Sequence, residues 1–337
     1  MKRLIPFTLL FFVMVARGQS TPVKYFGYFG GDNPPTIGAG VGTGLAEMKD
    51  HINLYSITNW SGLTTPDARV DNQNRVLARL AEAKAAHVHA IVPAYPFVFQ
   101  AVRDSSGTIT CWNNDPSASA SWASLTQAMV SQGYLIPGDP GRSTVVAVYI
   151  VDEPNGGVCL SDVNGQANAA FVNAVNAVRL DPRSASLPIA SILSTDFDSF
   201  TQGMQSLDWV GYDHYGDSDS QWNSRMKDLK SRTPGKKYIV VPGAMQNCAN
   251  VKYEAPSRYI SAIETDPTVT WIAPFAWFSG LGNDPGCYGV RDIPDLRSKY
   301  TREGLNIRNA QCNVSQTAKS FCTGSGDVTA AVSLLLN

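Results

Sequence analysis

Two adjacent carboxylates, Asp152 and Glu153, follow directly on the apolar run Val145–Val151 and are closed off by Pro154. A run so rich in β-branched residues suits a strand buried on both faces. Proline ends the ladder, so Glu153 is presented at the strand's carboxyl end. A carboxyl group held against an apolar core resists ionisation, which is the property a general acid needs. The competing reading is a surface acidic turn after a core strand. Side chains alternate along a strand, so Asp152 is expected to point away from Glu153, and a partner carboxylate has to come from elsewhere in the chain.

The elements that would position this pair recur along the sequence. Short apolar runs occupy Tyr25–Phe29, Ile52–Ile57, Val88–Ala94, Val145–Val151, Pro188–Leu193, Trp209–Tyr212, Tyr238–Val241 and Trp271–Phe275. Helical periodicity lies between them: Val76, Leu77, Leu80 and Ala83 share one face, as do Phe171, Val172, Val175 and Val178. Trp222, Met226 and Leu229 mark a third helix, and Tyr259, Ile260 and Ile263 a fourth. Strands alternating with helices predict βαβ units, a parallel sheet and a single α/β (β/α)8 barrel over residues 19–305. An open doubly wound sheet is the alternative, but a phosphate-binding glycine turn after the first strand is missing. The glycine-rich Gly38–Gly44 reads as a flexible βα loop. Residues 306–337 read as a C-terminal extension tied by Cys312 and Cys322.

In such a barrel the active site is built from the loops at the carboxyl ends of the strands. Those ends offer Asp32, then Asn59 and Trp60, Tyr95, the Asp152–Glu153 pair, Asp196 and Asp198, then Asp213, His214 and Tyr215, Gln246, and Trp277. Carboxylates accept hydroxyl protons and do acid/base work, while flat aromatic faces pack on the apolar faces of pyranose rings. Each has a plainer alternative. Trp60 and Trp277 could be packing aromatics, His214 could bond its own loop, and Asp196 and Asp198 suit helix caps. Asp213 is the best second carboxylate, because the sixth strand faces the fourth across the mouth.

Composition narrows the class. The chain has 337 residues and a net charge of −1, with charged residues at 16%. Nothing in it resembles a basic nucleic-acid surface, so no nucleic-acid partner is expected. Lys2-Arg3, the apolar stretch Ile5–Ala16 and the small residues of Ala16-Arg17-Gly18 read as a signal peptide over residues 1–18. No later run is long enough to span a bilayer. In a secreted chain the six cysteines are expected to pair, and their order suggests Cys111 with Cys159, Cys248 with Cys287, and Cys312 with Cys322. The four histidines are too scattered for a zinc site, so no metal or cofactor is expected, and the chain is read as a monomer.

These features together resemble the clan-A glycoside hydrolase superfamily over about residues 24 to 300. The resemblance rests on Asp152-Glu153-Pro154, on Asp208-Trp-Val-Gly-Tyr-Asp-His-Tyr215 and on Trp277. It implies that Glu153 is the acid/base glutamate, that Trp277 floors a sugar subsite, and that His214 and Tyr215 support the second carboxylate. Two departures stand out. Asp152 replaces the superfamily's usual Asn, and the seventh strand, Tyr238–Val241, is followed by Gln246 where a nucleophilic Glu is expected. Glu254 lies further on and suits the start of the next helix.

The expected activity is therefore hydrolysis of a glycosidic bond in an oligosaccharide or polysaccharide. Glu153 and Asp213 are the expected catalytic pair. Asp152, Asn59, Trp60, Tyr95, His214, Tyr215, Gln246 and Trp277 are the expected substrate contacts. An inverting arrangement would set the two carboxyls about 6.5–9.5 Å apart. A retaining enzyme could take its nucleophile from Asp213. A non-catalytic carbohydrate-binding or cell-wall protein on a degenerate barrel is the alternative.

Overall fold

The structure, a computed structural model, describes residues 23–32, 44–58, 60–157, 159–161, 168–249, 251–281 and 284–314. Residues 1–18, expected as a signal peptide, and Asn59, most of the glycine-rich loop and Cys322 lie outside the described residues.

Ten strands form in chain order: β1 Tyr25–Phe26, β2 Leu54–Ser56, β3 His89–Pro93, β4 Phe99–Arg103, β5 Ile109–Asn114, β6 Val145–Tyr149, β7 Ile189–Leu193, β8 Trp209–Tyr212, β9 Lys237–Val240 and β10 Val269–Ile272. The helices are α1 Gly44–Met48, α2 Pro66–Ala85, α3 Tyr95–Val98, α4 Ala118–Ser131, α5 Ala169–Leu180, α6 Thr201–Gln205, α7 Asp219–Arg232, α8 Ser257–Thr265 and α9 Pro294–Val314. All but β4 and β5 belong to one parallel sheet of eight strands, in the order β1-β10-β9-β8-β7-β6-β3-β2. The fold is the expected (β/α)8 barrel.

Asn53 closes the seam between the first and last strands of that order. Its N–H donates to the Phe26 carbonyl (3.1 Å), its side-chain oxygen accepts from the Phe26 N–H (2.7 Å), and its side-chain nitrogen donates to the Lys24 carbonyl (3.0 Å). Gly27 completes the closure, because a Cβ there would stand 1.8 Å from the Leu54 carbonyl oxygen.

Apolar residues fill two shells. Tyr25, Leu54, Ile91, Ala147, Ile192, Trp209, Ile239 and Trp271 fill the barrel interior. Tyr25 on β1 meets Trp209 on β8 at 5.5 Å between ring centroids, a contact that non-neighbouring strands can make only through the inside. The outer shell packs helices on the sheet and contains Val76, Leu80, Phe171, Val178, Leu229 and Ile263. Val172, expected on the buried face of α5, is 41% exposed, so that face is narrower than its sequence pattern suggested.

The antiparallel hairpin β4–β5 was not expected. It interrupts the loop after β3 and turns through Asp104–Gly107, where Asp104 Oδ1 accepts from the N–H groups of Ser106 (2.9 Å) and Thr108 (3.0 Å). The turn residues Asp104-Ser-Ser-Gly107 between two short alternating runs were the available signal. Disulfides join Cys111 to Cys159 and Cys248 to Cys287. The first staples the hairpin to the loop carrying Glu153, and the second staples the loops after β9 and β10. Cys312 is also disulfide-bonded, and it stands on α9, which runs unbroken through the expected boundary at residue 305. Among the described residues, no helix is long and apolar enough to cross a membrane.

Candidate active site

The mouth of the barrel is organised around β7. Glu153 follows β6 and donates its N–H to the Ile192 carbonyl (2.9 Å), while Asp213 follows β8 and donates its N–H to the Leu193 carbonyl (3.1 Å). Consecutive carbonyls of the strand between them thus anchor both carboxylates. Asn155 pins the same neighbourhood. Its side-chain nitrogen donates to the carbonyls of Ser194 (2.9 Å) and Asp196 (2.8 Å), and its oxygen accepts from the Ser194 N–H (2.8 Å). Ser191 Oγ donates to the Val151 carbonyl (2.6 Å).

The backbone of Glu153 is left-handed, with φ of 40°. Gly156 leaves room for this turn: a Cβ there would lie 3.0 Å from the Glu153 Cβ and 3.3 Å from its Oε2. The turn also corrects the expectation about Asp152. Strand alternation ends at Tyr149, so Asp152 is not sent to the far side, and its charge acts on Asp213 together with that of Glu153. Three carboxyls therefore converge.

The Asp213 carboxyl lies within hydrogen-bonding reach of Glu153, and its Oδ2 accepts from the Tyr215 hydroxyl (3.1 Å). Burial pushes the Asp213 carboxyl up to about 8, reinforced by Asp152, by Glu153 and by the bond to Glu153, and opposed by Tyr215. Asp213 Oδ1 is buried and has no protein partner. Asp152 is exposed by surface area, and desolvation by the protein around it raises its carboxyl to about 7. The Tyr149 hydroxyl donates to Asp152 Oδ1 (2.6 Å) and opposes that rise, whereas the charge of Glu153 adds to it. Tyr149 also accepts the Ile192 N–H (3.2 Å), so it locks Asp152 to β7. Tyr149 escaped the sequence reading because it sits inside the apolar run.

Other expected site residues divide. Tyr95 is partly buried in the mouth, where the charges of Asp152 and Asp32 add to desolvation in raising its phenol. Trp60 packs with Tyr95 (5.4 Å between centroids) and with Trp112 (5.8 Å) on the hairpin, and the Arg103 guanidinium lies over the Trp60 ring at 5.7 Å. Gln246 lies at the rim, its backbone paired with Tyr288. His214 bonds its own loop through Nδ1 to Asp217 Oδ1 (2.8 Å), which is the plainer of its two expected roles.

Trp277 is corrected outright. Its side chain is only 3% exposed, packs on Tyr28 and His51, and donates Nε1–H to Glu47 Oε2 (2.7 Å). The chain after β10 turns it away from the mouth. The aromatic that reaches the mouth there is Phe275, which stacks on Tyr215 (5.9 Å, 15° between planes) and approaches Phe29 (6.0 Å). Sequence reading placed Phe275 at the end of its strand and passed over it.

Glu254 does not replace the missing carboxylate after β9. It is 5% exposed, and its oxygens accept from the N–H groups of Gly243 (2.9 Å) and Gly216 (3.1 Å), from the Tyr259 hydroxyl (2.7 Å) and from Arg258. That carboxylate ties two loops to α8. Among the described residues, no group of three or more His, Cys, Asp or Glu side chains is placed to hold a metal ion.

The barrel superposes on solved structures of glycoside hydrolases. A double mutant of the Cellulomonas fimi endo-β-1,4-mannanase is 14% identical, with a TM-score of 0.51 over 84% of this chain and 71% of that one. A β-galactosidase from Bacillus circulans sp. alkalophilus is 11% identical, with a TM-score of 0.51 over 78% and 52%. A fungal β-1,4-galactanase is 16% identical, with a TM-score of 0.46 over 73% and 84%. The shared fold is the (β/α)8 barrel. These likenesses show the fold alone and identify no family. No protein-family model and no curated protein matches the sequence.

Proposed function

We propose that this protein is a secreted glycoside hydrolase acting on an oligosaccharide or polysaccharide. The observation that carries the reading is the meeting of Asp152, Glu153 and Asp213 at the carboxyl ends of β6 and β8, two of them close enough to share a proton. A barrel mouth that holds carboxyls partly protonated near neutrality, beside tyrosine hydroxyls and aromatic faces, is equipped to protonate a glycosidic oxygen and to stabilise an oxocarbenium-like centre. Glu153 delivers a proton to the leaving oxygen. Asp213 stabilises the positive charge that develops at the anomeric carbon. Asp152, oriented by Tyr149, holds sugar hydroxyls together with Tyr95 and Tyr215, and Phe275 and Trp60 offer ring faces.

The test is a screen of polysaccharides for new reducing ends, with binding measured in parallel. Cleavage that disappears in Glu153→Gln supports the reading. A second reading, a non-catalytic carbohydrate binder, draws on the engagement of Glu254 and the presence of Gln246 after β9. Binding without cleavage across the screen would select it.

A further inference from the structure

The loops after β9 and β10 meet in a short antiparallel contact at the rim of the mouth. Gln246 donates its N–H to the Tyr288 carbonyl (2.8 Å) and accepts the Tyr288 N–H on its own carbonyl (2.9 Å). Two residues that exchange both backbone bonds lie directly opposite, so their side chains stand on the same face of the ladder. The other face is buried. Met245 and Cys287 are 0% and 1% exposed and pack with Ala276 and Val251 against Tyr215 and Phe275. Side chains alternate along an extended chain, so Gln246 and Tyr288 point together away from that cluster. The Tyr288 ring is 43% exposed.

This rim is held firmly. The Cys248–Cys287 disulfide ties its two chains beside the contact, and the Cys287 carbonyl accepts the Gly280 N–H (2.8 Å). A ring carried on a fixed backbone costs little ordering when a ligand lands on it. The cluster beneath it is continuous with the mouth, where Tyr215 stacks on Phe275 and bonds Asp213. An aromatic face and an amide therefore extend the mouth outward past the carboxyls. A phenol ring offers a flat apolar face, and a glutamine amide both donates and accepts, as a sugar hydroxyl does.

We propose that Tyr288 and Gln246 form a rim subsite for a sugar of the substrate chain away from the bond that is cleaved. Tyr288 packs on the apolar face of the ring, and Gln246 bonds its hydroxyls. This rests on the glycosidase reading and deepens it. The substrate is a chain that leaves the mouth over the loops after β9 and β10. A disaccharide spans only the cleaved bond and leaves the subsite empty.

The test measures binding with Glu153→Gln, so that the probes stay intact. The protein is titrated calorimetrically with the disaccharide and the hexasaccharide of β-1,4-linked glucose, mannose and galactose. In at least one series the hexasaccharide should bind about tenfold more tightly than the disaccharide, the scale of one well-placed aromatic contact. Adding Tyr288→Ala should remove most of that excess and leave disaccharide affinity unchanged, whereas Tyr288→Phe should retain it. Gln246→Ala, which leaves the backbone contact in place, should lower it. Melting temperatures check that each variant is folded. An excess that survives both Tyr288→Ala and Gln246→Ala overturns the inference, as does equal binding of the two lengths, or no binding, in every series. The hydrolase reading is decided separately by the polysaccharide screen: cleavage there, with a length preference indifferent to Tyr288 and Gln246, removes the subsite and leaves the hydrolase standing.

Discussion

Raised carboxyls in the barrel mouth make pH the natural probe at the scale of the residue. Asp152 is raised to about 7 by burial, and Asp213 to about 8 by burial and by its neighbours Asp152 and Glu153. Activity that needs a protonated carboxyl there should decline as pH rises through about 7 to 8. The Tyr215 hydroxyl favours the charged form of Asp213, so Tyr215→Phe should move the alkaline limb of kcat/KM to higher pH. A limb that stays put would show that Asp213 does not set it. Glu153→Gln keeps the shape of the side chain and removes the proton; it should lower turnover by about 10²–10⁴-fold with little change in melting temperature. Asp152, Glu153, Asp213 and Tyr95 were legible in the sequence because each stands where an apolar run ends. Tyr149 and Phe275 were not, because polar work done by a residue inside such a run leaves no mark in hydropathy. Trp277 misled because its spacing after the last strand matches a mouth residue, and only the course of the chain shows that it faces Tyr28 and His51.

At the scale of the element, the eight barrel strands were legible because strands buried on both faces read as continuous apolar runs. The hairpin β4–β5 was not, since its alternating, half-exposed residues resemble loop. It is tied to the loop carrying Glu153 through Cys111 and Cys159, and it packs Trp112 on Trp60 and Tyr95. Replacing both cysteines with serine should leave the barrel folded but reduce turnover and speed proteolysis within residues 99–114, as limited digestion would report. Asn155 is the other support. Its three hydrogen bonds to the loop after β7 are buried, so Asn155→Ala should cost about 1–3 kcal/mol of stability and lower kcat more than it raises KM. Gly156→Ala should act on turnover alone, because its new methyl would press on Glu153. A Gly156→Ala protein with full activity would mean that the left-handed turn tolerates crowding.

At the scale of the molecule, raised carboxyls make the fold an acid-favoured one. Asp152, Asp213 and Glu303 on α9 are each pushed up, Glu303 to about 7 by burial and by the nearby Glu264. A group whose folded pKa exceeds its unfolded value stabilises fully below the unfolded value, and that contribution is lost as pH rises through the folded one. Asp266, held down to about 2 by Lys230 and Thr268 despite burial, works in the opposite sense and weakens the fold only in strong acid. The melting temperature should therefore be highest near pH 4–5 and fall toward pH 8, and Glu303→Gln should flatten part of that fall. The central claim, that the convergence of Glu153 and Asp213 makes this barrel a hydrolase, is tested most directly by measuring new reducing ends from a polysaccharide panel with the native protein and with Glu153→Gln side by side. The account predicts release by the native protein on at least one substrate and its loss in the folded variant. Equal release by both proteins, or binding without release by the native protein on every substrate, would contradict it.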